Sequence, residues 1–437
     1  MFETLKNAFK VKEIRIKIWM TLLFVLIYRI GCYIPVPGVG TGSFAAAIAD
    51  VSYLNIMSMM TGGSLANGTW FAMGIGPYIN ASIIIQLLTV AIPALERLSK
   101  QGEEGQKKIA KLTRYGALLL AIVQAIGIIV SFNSYIVNAD GTLSLSQILF
   151  DQTWLAYIVI VAFYAAGALV TVWLGERITE YGVSNGISLL IFVGILATAG
   201  NAFVASIRSF IESGFELVKF WQIIGYIIAI IVVFGLIVWV ELAERRIPVQ
   251  YAKQVKGRKM YGGQSTVIPI KVNANGVMPL IFAFSILSFP ELIMTLFWPE
   301  SDAYIWWKTW MGTSSWLYMV VLALLILAFA FFYAQIQFNP EDISKTIQQN
   351  GGFILGIRPG KPTADYLKRI HNRITLFGAI FLALVALVPA IVFRLIDPST
   401  SSVFSATGLL ICVSVALEFN TALESQIMMK NYKGFLK

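Results

Sequence analysis

Ten long apolar runs constrain this chain more than any other feature of its sequence. They lie near residues 18–34, 71–95, 115–133, 153–174, 186–206, 219–240, 276–298, 315–338, 374–396 and 403–420. Each approaches the roughly 20 residues that a helix needs to cross a bilayer. A water-facing surface for so much apolar sequence is not available, because 57% of the 437 residues are hydrophobic and 13% are charged. The expected fold class is an all-α polytopic membrane protein with ten transmembrane helices.

Lysine and arginine favour cytoplasmic loops, which gives an independent test of the runs. With the N-terminus inside, 28 of the 33 basic residues fall on the cytoplasmic side. Arg208, Lys219, Lys308 and Arg394 fall outside, and Arg29 lies within the first span. Both termini are therefore expected in the cytoplasm. The chain divides into a cytoplasmic amphipathic segment (1–17), a first half with spans one to five (18–206), an external loop (207–218), a second half (219–420) and a cytoplasmic tail (421–437). Five spans that start inside end outside, so a second set of five must run inverted. Topology thus allows an inverted repeat, although no residue-level repeat is visible. Phe2, Leu5 and Phe9, at helical spacing among lysines, suit a helix lying on anionic lipid. A solvated basic tail fits the same pattern. The first apolar run is followed by no small-residue cleavage site and is expected to remain as a span.

Two cytoplasmic loops, about 241–273 and 339–373, alternate basic with apolar side chains and carry proline and glycine turns. A solvated connection has no use for Ile247, Val249, Tyr251, Val267 and Ile268, so these loops read as docking platforms for a cytosolic partner. The net charge of +10 is concentrated there and does not point to DNA.

Catalytic chemistry is nearly absent. The single histidine, His371, reads as a surface residue near a helix start. Cys32 and Cys412 fall inside apolar runs without metal-ligand spacing and read as packing residues. The string GIRPGKPT fails as a phosphate loop, because Leu355 and Pro362 stand where glycine and Ser or Thr are required. No enzyme activity, cofactor or metal is expected. A coupled carrier keeps ionisable groups inside its bundle. Here Glu176, Glu241, Glu244 and Glu418 fall near predicted cytoplasmic ends. Arg29, about one turn from the outer end of its span, is placed to snorkel or to brace a neighbouring loop. A channel is expected, with a small-solute secondary transporter as the alternative and a membrane-embedded enzyme as the third reading.

Residues 59–80, MMTGGSLANGTWFAMGIGPYIN, fit neither a loop nor a span. Met59 to Trp70 would reach about 18 Å as a helix, against a hydrocarbon core of roughly 30 Å. Gly74, Gly76 and Pro77 force an irregular start on the helix that follows, and irregular backbone at membrane depth is tolerated where it lines a cavity. Ile75 and Ile79 lie one turn apart, as do Ile187 and Ile191 after Asn185-Gly186. Spacing alone gives these pairs only a packing role.

Several long strings carry a resemblance to a known family: RIGCYIPVPG at 29–38, GIGPYINASIIIQLLTV from Gly74, TRYGALLLAIVQAIGI at 113–128 and GERITEYGVSNGISLLIF at 175–192, followed by RIPVQYAK, YGGQSTVIPIKVN and GIRPGKPTADYL. Together they resemble the SecY family, the central subunits of Sec protein-conducting channels, from Lys17 to the tail NYKGFLK. The resemblance implies two inverted five-helix halves around a central hourglass pore, hinged at the loop 207–218. It implies a channel for unfolded secretory polypeptides, with a lateral gate that releases transmembrane segments into the bilayer of the bacterial cytoplasmic membrane. Carried over motif by motif, the pore ring would be Ile75, Ile79, Ile187, Ile191, Ile281 and Ile411. A movable plug would span about 54–67, with Leu54, Met57, Met59, Met60, Gly62, Gly63, Leu65 and Asn67. Ile83, Ile84, Gln86, Asn273, Ser285 and Phe289 would form the lateral gate. Arg246, Arg258, Lys259 and Arg358 would contact the SecA motor or a ribosome. The implied partners are SecE, SecG, SecA, the ribosome, secretory preproteins with their signal sequences, and anionic lipids.

Overall fold

A computed structural model of the chain describes residues 2–39, 57–138, 154–212, 217–251, 254–256, 259–261, 265–273, 276–298, 301–312, 315–396 and 406–435. Each expected span meets a helix: Lys12–Gly31, Gly76–Ala91, Glu103–Asn138, Trp154–Tyr181, Gly186–Glu212, Leu217–Glu241, Met278–Phe297, Trp316–Gln337, Lys361–Ile396 and Ala406–Phe435. Among the described residues, 5 helices are long and apolar enough to cross a membrane, or 6 if a bent pair counts as one span. Stretches 186–201, 227–241 and 278–291 form shorter apolar helices. The chain is a mostly helical polytopic membrane protein.

Helix ends depart from the apolar runs for local reasons. Glu103–Asn138 begins well before residue 115, so Lys107, Lys108, Lys111 and Arg114 are helical rather than loop residues. Lys107 pairs with Glu103 one turn away at 2.9 Å. The second span is broken: Gly76–Ala91 and Pro93–Ser99 meet at 106°. Pro93 excludes the α conformation from the residue before it, and Ile92 is extended (φ −106°, ψ 113°).

The described residues pack as two compact units. The first comprises Met1–Phe215, Ser285–Tyr318 and Val415–Lys437, and the second Glu216–Phe284 and Met319–Ser414. The core of the first unit gathers Met57, Leu65 and Met73 with Ala121, Ala125, Ile128, Ile160 and Tyr164. The N-terminal helix Phe2–Lys10 belongs to this unit. Its Ala8 packs with Ile14, Ile18, Val183 and Leu423, and Thr4 Oγ1 donates to Glu424 Oε1 at 3.1 Å. Leu5 and Phe9, one turn apart, stay exposed. One side of this helix is therefore docked, which a solvated tail would not be.

In the second unit the two long loops fold into one platform. Strands β1 (Glu244–Tyr251), β2 (Gln254–Lys256), β3 (Lys259–Tyr261) and β4 (Ser265–Lys271) come from the first loop, and β5 (Gly352–Ile354) from the second. The strand order is β4-β1-β5, and β2 pairs with β3 separately. The β1–β4 pairing is antiparallel, running from Glu244↔Lys271 to Gln250↔Ser265. Strand β5 reaches only Val249 to Tyr251, so Pro248 sits where one side of β1 is uncovered and no donor is needed there. Alternation buries Ile247 and Val249 against Ile270, Ile347, Ile354 and Leu367. Asn339, ahead of Pro340, caps the helix Pro340–Gln349 by accepting from the Glu341 amide at 3.2 Å. An all-helical reading of the sequence does not anticipate this sheet.

His371 requires a correction. It lies inside Lys361–Ile396 and is only 5% exposed. Its ring stacks on Phe338 at 4.2 Å and 14°, and Nε2 lies 3.2 Å from the Ala334 carbonyl oxygen. The basic neighbours Arg369 and Arg373 made the position look solvated, but the helix turns the histidine away from both.

Candidate functional site

Residues 57–60 form one helical turn, followed by turns through to Ile75. Gly62, Gly63, Gly68 and Gly74 all have positive φ, between 51° and 81°, a region that costs other residues a steric penalty. This compact excursion is fastened at its far end. Trp70 N donates to the Ile34 carbonyl at 2.8 Å, and Val36 N donates to that of Gly68 at 3.1 Å. Ser64 and Thr69 hydroxyls bond to each other within it. Leu65 is fully buried and Asn67 exposed.

Three elements of the first unit seat this segment. From Gly186–Glu212, Thr198 Oγ1 donates to the Met59 carbonyl at 3.0 Å. At Gly194 the two backbones touch, for a methyl group there would lie 2.1 Å from the Met60 carbonyl oxygen. From Lys12–Gly31, Arg29 reaches Gly62, where an added methyl would meet Nη1 at 2.5 Å. Just beyond that helix, the Cys32 thiol makes a weak contact of 3.9 Å with the Thr61 carbonyl. The third element is the irregular helix start. Ile75 caps Gly76–Ala91 with φ −92° and ψ −5°, and a methyl at Gly76 would lie 3.1 Å from the end of Met57. A cavity of about 20 Å³ remains between Tyr28, Met57, Met60, Thr61, Ile75, Gly76 and Ile191, room for about one water.

The structure thus brings Met57 and Met60, expected in the plug, to Ile75 and Ile191, expected in the ring. Ile79 and Ile187 are half-buried in the same unit. Ile281 and Ile411 belong to the second unit, where Ile411 is buried and Ile281 half-buried. Leu54 lies outside the described residues. Of the gate positions, Ile83 is buried, Ile84, Gln86 and Phe289 are exposed, and Ser285 is half-buried. Asn273 is buried, and its amide donates to Glu241 Oε2 at 2.9 Å within the second unit. On the platform, exposed Arg246 pairs with Glu244 at 2.7 Å. Arg358 is exposed, and its carbonyl accepts from Thr363 Oγ1 at 2.8 Å. Lys259 is in β3, and Arg258 lies outside the described residues. Sequence reasoning missed Gly194 and Thr198. Their only signal is small residues four apart on one helix face.

The profile of the SecY family matches residues 69–420. The chain belongs to the SecY family. The protein translocase subunit SecY of Streptomyces coelicolor is 42% identical over 447 residues, covering 100% of both chains. Two solved structures share the SecY-family fold. One, described as showing that the plug domain of SecY stabilises the closed state and maintains a membrane seal, has a TM-score of 0.67 at 19% identity and covers 94% of this chain and 92% of its own. The other, Sec61 in the canine ribosome-channel complex, has a TM-score of 0.63 at 17% identity with the same coverage.

Proposed function

We propose that this chain is the protein-conducting channel of a translocase, passing unfolded secretory polypeptides across the cytoplasmic membrane and releasing transmembrane segments sideways. The full-length similarity to the Streptomyces coelicolor translocase subunit carries the reading. Both termini face the cytoplasm in this reading, in line with the distribution of lysine and arginine, so the two five-span halves run through the membrane in opposite senses. Six isoleucines form the waist of the pore. Stiff, β-branched side chains close around an extended chain without offering it hydrogen bonds, and a narrow apolar constriction resists wetting. Segment 54–67 is the plug. The described part of its seat supports this role: Thr198 gives residues 57–67 one side-chain hydrogen bond and Cys32 a thiol contact, while Met57 and Leu65 pack in the apolar core and methionine adapts to such a surface.

Polar contacts between membrane helices contribute only about 0.6–2 kcal/mol, so a lateral gate at Ile83, Ile84, Gln86, Asn273, Ser285 and Phe289 yields to a hydrophobic signal helix. SecE and SecG are the membrane partners. The platform serves SecA or a ribosome and carries no catalysis of its own. A small-solute transporter is expected to keep several ionisable groups within its bundle, whereas Arg29 is the one clear case in the predicted spans.

A photocrosslinker at Ile79 tests the channel reading. Capture of a stalled secretory polypeptide is expected, and a carrier would yield no polypeptide adduct. Arg358→Glu is expected to lower ribosome binding and reduce its salt dependence, because one phosphate contact is lost. Co-sedimentation across a salt series checks this, and an unchanged slope would remove Arg358 from the contact.

A further inference from the structure

The plug reading leaves Arg29 unexplained. Its Nη1 is shut off from solvent and has no hydrogen-bond partner, although it lies against Gly62 of the segment. The carbonyls of Met59 and Thr61 accept from Thr198 and Cys32 rather than from Arg29. The guanidinium also lies over the Tyr33 ring, with Cζ 5.7 Å from its centroid. Tyr33 lies outside the plug, so this contact does not depend on the plug being seated. Arg29 as a whole is half-buried, so the desolvation cost falls on this one nitrogen rather than on the whole guanidinium. Gly62 is the plug residue that lies against this nitrogen, so the cost is tied to the plug being seated.

We infer that Arg29 biases the channel toward opening, because seating the plug strips water from one guanidinium nitrogen and unseating the plug restores it. The arginine is thus a positioning residue that keeps the closed state shallow enough for a signal peptide to open. The inference rests on the plug reading of 57–67. Its sign is opposite to that of a latch. A latch would pair the guanidinium with a plug carbonyl, and no such bond is present among the described residues.

The test uses the full-length translocase in planar bilayers with a synthetic hydrophobic signal peptide as probe. Arg29→Met keeps an apolar stem of similar length and removes the charge. It is expected to lower the frequency of peptide-induced openings by roughly tenfold to a hundredfold, the range set by an unsatisfied charged donor, while the resting bilayer stays tight. Arg29→Lys is expected to restore opening, and Arg29→Gln to move in the same direction as methionine. Openings at or above the unsubstituted frequency, or a resting leak, in Arg29→Met would overturn the inference. Failure of both neutral variants to accumulate would also overturn it, by making Arg29 a folding residue. Deletion of 57–67 separates the two levels: a deletion channel as tight as the parent defeats the plug reading itself, whatever Arg29 does.

Discussion

A channel carrying Gly194→Val is expected to conduct ions at rest. Even the first carbon of a side chain at this position would lie 2.1 Å from the Met60 carbonyl oxygen, 3.0 Å from the carbonyl carbon and 3.3 Å from the Gly62 nitrogen. These are backbone atoms, so no rotamer change relieves the clash, and one of the two backbones must move. Overpacking of this kind costs about 1–3 kcal/mol. The Thr198 bond that opposes displacement contributes about 0.5–1.5 kcal/mol. The helix Gly186–Glu212 is continuous and hydrogen-bonded throughout, so the plug segment gives way. Gly200→Val is the control, since nothing lies within 4 Å of that position on the same helix. Planar-bilayer conductance without any signal peptide checks the pair. If Gly194→Val is as tight as Gly200→Val, the seat described above does not hold the seal.

Val249→Asp should disable the cytosolic platform while leaving the membrane part intact. Val249 is 0% exposed and lies on the central strand, paired with Thr266 on one side and Ile354 on the other. Around it lie Ile247, Ile270, Ile347, Ile354 and Leu367, all apolar and buried. An ionised carboxylate buried there costs several kcal/mol. That is comparable to the hydrophobic stabilisation of two or three buried side chains at about 1.5–3 kcal/mol each. The small sheet has no larger core to fall back on, and β5 pairs through only three residues. Limited proteolysis of membranes is expected to cut within residues 244–271 in the variant, and ribosome co-sedimentation to fall at least about tenfold, a loss of 1.4 kcal/mol or more. Val267→Asp, at a position 43% exposed on β4, is the matched control and should stay protease-resistant. Equal resistance of both variants would show that the sheet tolerates an interior charge, and would discount the platform's role in presenting Arg246 and Arg358.

These two effects differ in how far the sequence foreshadows them. For Val249, the alternation of Ile247, Val249 and Tyr251 with polar neighbours was visible, and it marked the loop as more than a connection. The partner strands were not visible, because β5 is three residues long and comes from a loop about a hundred residues later. Gly194 was less legible still. A glycine in an apolar helix is common, and only the approach of the Met60 carbonyl gives this one a purpose. The break at Ile92-Pro93 was written in the proline, yet hydropathy ran straight through it. The local charge around His371 suggests exposure, whereas Phe338 and Ala334 enclose it from another element.

The sequence by itself determined that the chain is a helical polytopic membrane protein and to which family it belongs. Those properties follow from apolar run length, the placement of charge and long local strings, all of which are set by residues near each other in the chain. The tertiary structure alone decided how residues 57–67 are held. That depends on a threonine hydroxyl more than a hundred residues away, on two glycine backbones in contact, and on an arginine left without an acceptor. Such effects come from tenths of an ångström between distant segments, and no local pattern encodes them.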